Sequence, residues 1–190
     1  MASPPPNLLS IFKAHPAGIH SSEAMRLGIH PMTLYALRDA GVIERLGRGL
    51  YRLAKAPPLS NPDLVTVALK VPKGVLCLIS ALSFHDITTQ VPHAIHVALP
   101  FGTERPRLDS PPTRFSWFKE PAFSAGAENQ RVDGVAIRVY SPEKTVADCF
   151  KFRNKIGLDV ALEALKLCLK KKRSKPDELL KYARICRVEK

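Results

Sequence analysis

Between Ser21 and Leu53 the spacing of apolar residues changes period, and glycines mark the change. Up to Ala40 apolar residues recur about every 3.6 positions, the signature of helix; after Gly41 they recur about every 2, the signature of strand. The helical part is itself divided. Ser21 or Ser22 is expected to cap a short helix carrying Ala24, Met25 and Leu27, which Gly28 ends. His30-Pro31 opens the next helix, because proline at the first helical position has its φ preset and needs no N–H partner. That helix is expected to run to Ala40 and stop at Gly41, with Leu34 and Leu37 facing inward beside Leu27 and Val42. Val42–Leu46 and Leu50–Leu53, joined through Gly47-Arg48-Gly49, then read as a hairpin with a glycine-rich tip. Upstream, Leu8, Ile11 and Phe12 predict a first helix from Asn7, a suitable cap, to Ala14, ended by Pro16 and Gly18. Residues 1–6 read as a frayed tail.

Three short helices followed by a glycine-tipped hairpin predict a winged helix-turn-helix, and that fold has a specific chemistry. Its third helix is narrow enough to enter a DNA major groove, where outward side chains reach base edges. With Leu34 and Leu37 inward, the outward set includes Met32, Thr33, Tyr35 and Ala36. Thr33 and Tyr35 offer hydroxyls, and Met32 offers an apolar contact for a thymine methyl. Arg38 lies towards the edge, suited to a phosphate. Arg48 sits at the hairpin tip, where it can reach a minor groove; Arg45 and Arg52 flank it and suit phosphates. Ser21, Ser22 and the amides of their helix start are further candidates for backbone phosphate, and His30 is a candidate DNA contact. A winged helix can equally serve as a protein–protein module. The placement of the basic residues on the hairpin and exposed faces favours double-stranded DNA.

Ala56-Pro57-Pro58-Leu59-Ser60-Asn61-Pro62 reads as a linker. The expected organisation is a DNA-binding domain over 1–55, a linker over 56–62 and a second domain over 63–190. In that second domain residues 63–70 look helical. Val75–Ile79 is an apolar run leading into a helix near Ser80–Phe84. Ala94–Leu99, Arg114–Phe118 and Val135–Tyr140 read as strands, and Pro100–Pro112 as a loop rich in Pro and Arg. Ser141-Pro142-Glu143 combines an N-cap, an N1 proline and a first-turn acid, and opens a helix to about Arg153. Gly157–Lys171 predicts an amphipathic helix with Val160, Leu162, Leu165 and Leu169 on its apolar face; Lys175–Arg184 predicts a last helix. The fold class is therefore α+β: an N-terminal winged helix-turn-helix, then a mixed α/β domain with a small sheet and terminal helices.

Charge bears on the partner. The 190 residues carry a formal net charge of +12, unevenly spread. Residues 1–60 hold seven Lys/Arg against three Asp/Glu, residues 61–140 eight against seven, and residues 141–190 fourteen against seven. A basic balance favours polyanions through counterion release and steering. The run Lys170-Lys171-Lys172-Arg173 reads as a solvated helix end that suits the helix dipole, although the basic C-terminal third as a whole is also a candidate surface for DNA or an acidic partner.

Other chemistries find little footing. Cys77, Cys149, Cys168 and Cys186 have neither zinc-site spacing nor a disulfide framework, and read as reduced, buried thiols. His93 and His96, three apart by a strand, point to opposite faces and make no metal site. Ser80 and Ser83 lack a nucleophile elbow. Asp148, Asp159 and Glu163 read as surface ion pairs on helices rather than a two-metal centre. The reading is of a non-enzyme with no metal and no cofactor. The N-terminus has no charged segment followed by an apolar core as in a signal peptide, and no apolar run approaches the roughly 20 residues of a membrane span, so a cytoplasmic protein is expected.

Three segments, taken together, resemble a known family. Gly41–Leu53, GVIERLGRGLYRL, is similar to the wing of AbiEi-family antitoxins of type IV toxin–antitoxin systems. Val67–Pro100, VALKVPKGVLCLISALSFHDITTQVPHAIHVALP, resembles the start of that family's second domain. Tyr140–Lys166, YSPEKTVADCFKFRNKIGLDVALEALK, resembles its C-terminal signature. The resemblance implies a transcriptional autorepressor that binds inverted repeats upstream of its own operon, as a dimer or as cooperative monomers. It also implies an antitoxin that opposes an AbiEii-like nucleotidyltransferase toxin without a stable complex, and that needs no cofactor. The family's DNA contacts map approximately onto Thr33, Tyr35, Arg38, Arg45, Arg48 and Arg52. The alternatives are a stand-alone winged-helix transcription factor without a toxin partner, or a DNA-targeted nuclease.

Overall fold

The computed structural model describes residues 6–171 and 175–189, with the side chains of Pro6 and Asn7 left outside that description. Most of the expected tail and Lys172-Arg173 of the basic run lie outside the described residues, as does the Asn7 side chain expected to cap the first helix. The chain divides into two compact units. One comprises residues up to Pro72 together with Arg131–Ala136; the other comprises Lys73–Gln130 and Ile137 onward.

The first unit runs α1 (Pro6–Ala14), β1 (Ile19–His20), α2 (Ser21–Arg26), α3 (Pro31–Asp39), β2 (Ile43–Gly47), β3 (Leu50–Leu53) and α4 (Pro62–Lys70). The strands form a three-stranded antiparallel sheet ordered β1-β3-β2, with Ile19 opposite Tyr51 and Ile43 opposite Leu53. Phe12, Ile19, Ala24, Ile29, Leu34, Leu37, Ile43 and Tyr51 make its core. Burying large apolar side chains such as Phe12, Ile29 and Ile43 contributes about 1.5–3 kcal/mol each, and short helices of this length depend on such packing.

The helix ends follow local chemistry. Gly41 adopts φ +68°, and the Val42 amide donates to the Leu37 carbonyl at 2.9 Å. This is a Schellman closure, which needs a left-handed residue where glycine carries no Cβ penalty. The same pattern closes α2, where the Ile29 amide donates to the Ala24 carbonyl at 2.9 Å.

Two expectations for this unit are corrected. The cap of α2 is His20, whose Nδ1 accepts from the Ser22 amide, and neither Ser21 nor Ser22 caps it. Leu27 is 44% exposed and does not join the core, because the Gly28 closure turns it outward. The two-residue strand β1 was not expected; it is too short to show a period, and it exists through its pairing with β3. α4 begins with an Asn61 cap to the Leu64 amide at 3.1 Å and buries Val65, Thr66 and Val67.

The second unit contains β4 (Val75–Leu76), α5 (Leu78–Phe84), β5 (Ile95–Pro100), β6 (Thr113–Phe118), β7 (Ala127–Val132), β8 (Val135–Tyr140), α6 (Pro142–Lys151), α7 (Arg153–Ile156), α8 (Leu158–Lys170) and α9 (Pro176–Cys186). The tip of the β7–β8 hairpin, Arg131–Ala136, groups with the first unit. The five-stranded sheet is ordered β6-β5-β4-β8-β7, antiparallel at β4–β5 and parallel at β4–β8 and β5–β6. A core that includes Val75, Leu82, Phe118, Tyr140, Val146, Cys149, Val160 and Ala164 draws on sheet and helices together. Ser141 caps α6 at the Lys144 amide, 3.2 Å away, with Pro142 in the first turn as expected.

Four expectations differ here. β7 was not foreseen: its residues Glu128, Asn129, Gln130 and Arg131 are all exposed, so an edge strand carries no alternating signal. On α8 the buried residues are Val160, Ala161, Ala164 and Cys168, while Leu162 and Leu169 are exposed; the packed face is rotated from the one the leucines suggested. Asp148 is no surface residue. It is wholly buried, and its Oδ2 lies 2.6 Å from Lys144 Nζ. Glu163 accepts from the hydroxyls of Thr88 at 3.1 Å and Thr89 at 2.6 Å, tying down a loop, and among the described residues it pairs with no lysine.

Candidate nucleic-acid interface

The expected DNA-binding residues all lie in the first unit, and the hairpin tip is where they begin to converge. Gly47 faces Leu50 across a turn made by Arg48 and Gly49, after a bulge between Arg45 and Gly47. Gly49 holds φ +72°, and a Cβ there would lie 3.2 Å from Ser21 Oγ. Its carbonyl accepts from the Ser21 amide at 2.7 Å. The tip is thereby fastened to the start of α2, and Arg48 is presented beside the helices.

Between α2, α3 and the hairpin lies a groove of about 540 Å³. Five of the expected residues line it: Ser21, Tyr35, Arg38, Arg45 and Arg48. Arg38 ion-pairs with Asp39 at 2.7 Å, which raises its pKa above the ordinary value through the hydrogen bond and the charge of Asp39. Its guanidinium also stands 5.3 Å from the Tyr35 ring centroid. Arg45 Nε donates to the Gly47 carbonyl at 3.2 Å, so the bulge orients it. Three arginines and two tyrosines, Tyr35 and the buried Tyr51, on one concave surface with no acid among the lining residues form a surface complementary to a polyanion.

The other five expected residues sit elsewhere. Met32, 67% exposed, and Thr33 lie on α3 outside the groove lining. His30 caps α3, its Nδ1 accepting from the Met32 amide at 3.3 Å. Ser22 donates its hydroxyl to His20 Nδ1 at 2.9 Å. The amides of Ser21 and Ser22 are both engaged, with Gly49 and His20, so the helix start offers the Ser21 hydroxyl rather than open N–H groups. Arg52 is ion-paired with Glu44 across the hairpin and donates to the Pro57 carbonyl at 3.2 Å. Its side chain is 11% exposed, and it braces the strands. Met25 lines the groove and was not selected from the sequence; its place on α2, one turn from Ser21, was the available signal.

Among the described residues no group of three or more His, Cys, Asp or Glu could hold a metal ion. No described helix is long and apolar enough to cross a membrane. All four cysteines are buried and none is in a disulfide. Burial holds the Cys77 and Cys149 thiols well above their ordinary pKa and pushes Cys186 up to about 12. His96 is buried in β5, and desolvation lowers its pKa.

Residues 19–54 match the sequence model of a family described as a transcriptional regulator, AbiEi antitoxin. That stretch spans β1 to β3 and contains every residue lining the groove. Val67–Pro100 and Tyr140–Lys166 lie beyond it. The fold is similar to the crystal structure of the RV2827C protein from Mycobacterium tuberculosis, with a TM-score of 0.65, 14% identity, and coverage of 93% of this chain and 69% of that one. At that identity the likeness concerns the fold alone. No curated protein matches the sequence.

Proposed function

We propose that the protein is a cytoplasmic, non-enzymatic antitoxin and transcriptional autorepressor of a type IV toxin–antitoxin operon. In this reading residues 1–55 are a winged helix-turn-helix that binds inverted repeats in the operon's own promoter. Residues 56–62 are the linker, and residues 63–190 oppose a nucleotidyltransferase toxin without forming a stable complex with it. One observation carries the reading: the groove gathers Ser21, Tyr35, Arg38, Arg45 and Arg48 on one surface, where Asp39 is the acid paired with Arg38, inside the stretch that matches a regulator family.

The geometry supports it physically. A helix of about 10–12 Å diameter fits a major groove about 12 Å wide. With α3 so inserted, Thr33, Tyr35 and Met32 face base edges, while Arg38 and Arg45 meet phosphates. Arg48, fastened at the tip, reaches the neighbouring minor groove. Two half-sites call for two copies of the unit, as a dimer or as cooperative monomers.

The test is a gel shift of the full chain on duplex DNA from its own promoter, at low salt. Absence of a shift on a fragment containing inverted repeats overturns the reading. Arg48→Ala is expected to weaken binding by about 1–3 kcal/mol, and Arg45→Ala to lower the salt slope by about 1. An unchanged affinity for Arg48→Ala would show that the tip enters no groove. The confinement of the family match to residues 19–54 favours one second reading, a transcription factor acting without a toxin. A nucleotidyltransferase gene immediately downstream would decide for the antitoxin.

A further inference from the structure

The outer edge of the five-stranded sheet carries aromatic rings that are open to solvent and accompanied by cations. β6 is the last strand on that side. Strand alternation puts Phe115 and Trp117 on one face and the buried Phe118 on the other. The pairing of β5 with β6 extends one step further, where the Phe101 amide donates to the Phe118 carbonyl at 2.8 Å. This brings Phe101 beside Lys119, whose ammonium stands 4.6 Å from the ring centroid. The Arg105 guanidinium stands 5.9 Å from the centroid of Phe115. The Trp117 indole N–H donates to the Thr103 carbonyl at 2.8 Å, which sets the ring's orientation and ties the loop to the strand.

Phe101 is 65% exposed and Trp117 39% exposed. Exposed aromatic rings grouped on one face are the kind of surface that marks an interaction site. Between residues 101 and 119 the chain carries Arg105, Arg107, Arg114 and Lys119 against Glu104 and Asp109. Phe101 and Phe115 each carry a cation over the ring, and aromatic rings paired with cations match a ligand made of flat π-systems joined by anionic links.

We propose that this face binds single-stranded nucleic acid, with bases stacking on Phe101 and Trp117 and phosphates meeting Lys119 and Arg105. Stacking of this kind is tolerant of sequence, because every base has a π-face. Duplex DNA does not suit the surface, since its bases are already stacked on one another. The site lies in the second unit, and the inference is independent of the duplex binding assigned to the first.

The chain has a single tryptophan, so its emission reports on this face alone. Full-length protein is titrated with oligouridylate and with oligothymidylate of about 12 nucleotides, a length within the range such sites cover. Saturable quenching that weakens with salt is expected. Phe101→Ala and Lys119→Ala should each weaken it by roughly tenfold, with the circular dichroism spectrum unchanged, and Arg48→Ala should leave it unaltered. Tighter binding of the ribo-oligomer would assign RNA through the 2′-hydroxyl, and equal or tighter binding of the deoxy-oligomer would assign contacts to bases and phosphates alone. The proposal is overturned by absence of quenching at low salt, by equal quenching with a duplex or with oligoglutamate, or by quenching that survives Phe101→Ala.

Discussion

The two units use charge in opposite ways. In the first, Arg38, Arg45 and Arg48 are exposed around an open groove. In the second, the Lys144–Asp148 pair is wholly buried. Lys144 Nζ lies 4.1 Å from the Tyr140 ring centroid and 5.1 Å from that of Phe118. Asp148 accepts the Cys186 thiol at Oδ1, 3.2 Å away, so the pair joins α6 to α9. Burial raises the Asp148 carboxyl, and the Lys144 ammonium opposes that shift. An exposed arginine costs little to keep and can be given to a ligand. A buried ion pair has already lost its water, so each partner depends on the other. A basic composition is therefore no map of a binding surface, since one lysine of the C-terminal third is a core residue.

The contrast can be broken most sharply at the buried pair. Asp148→Ala strands a buried ammonium and is expected to destabilise the protein by about 3–5 kcal/mol in a denaturant melt. A loss comparable to that of a surface pair would show that the core opens to water. At the hairpin tip, Gly49→Ala forces a Cβ into a left-handed conformation against Ser21 Oγ, with an expected cost of about 1–3 kcal/mol. Because it loosens the mount of Arg48, duplex affinity should fall as well; stability lost with affinity intact would separate the tip from the interface. The smallest effect belongs to Arg52→Ala, which removes a partly exposed cross-strand pair, with an expected loss of about 0.2–1 kcal/mol. Its salt slope on duplex DNA should match that of the parent chain. A slope reduced by about 1 would restore Arg52 as a phosphate contact.

Much of the first unit was legible because its signals are local. Pro31, Gly28, Gly41 and the Gly47-Arg48-Gly49 tip act within a few residues of themselves, and α3 and the β2–β3 hairpin fall where those residues place them. The cap of α2 was missed by one position, because serine is the commoner cap and His20 takes the role through Nδ1. In the second unit the Ser141-Pro142 start of α6 was equally legible. β7 was hidden because a polar edge strand is defined by its neighbour β8 and not by its own pattern. Half of the candidate DNA contacts meet at the groove; the rest are elsewhere on the helices or bound into the hairpin, as Arg52 is by Glu44.

Local residue chemistry set the elements whose ends are written in glycine, proline and capping residues, together with the basic character of the hairpin. Only the tertiary structure decided which charges face water and which face one another. Lys144 and Asp148 are four residues apart on α6, a spacing that on most helices makes an exposed pair. They are buried here because Tyr140, Phe118 and Cys186 close over them from β8, β6 and α9. Burial depends on partners distant in the chain, and no local pattern encodes them.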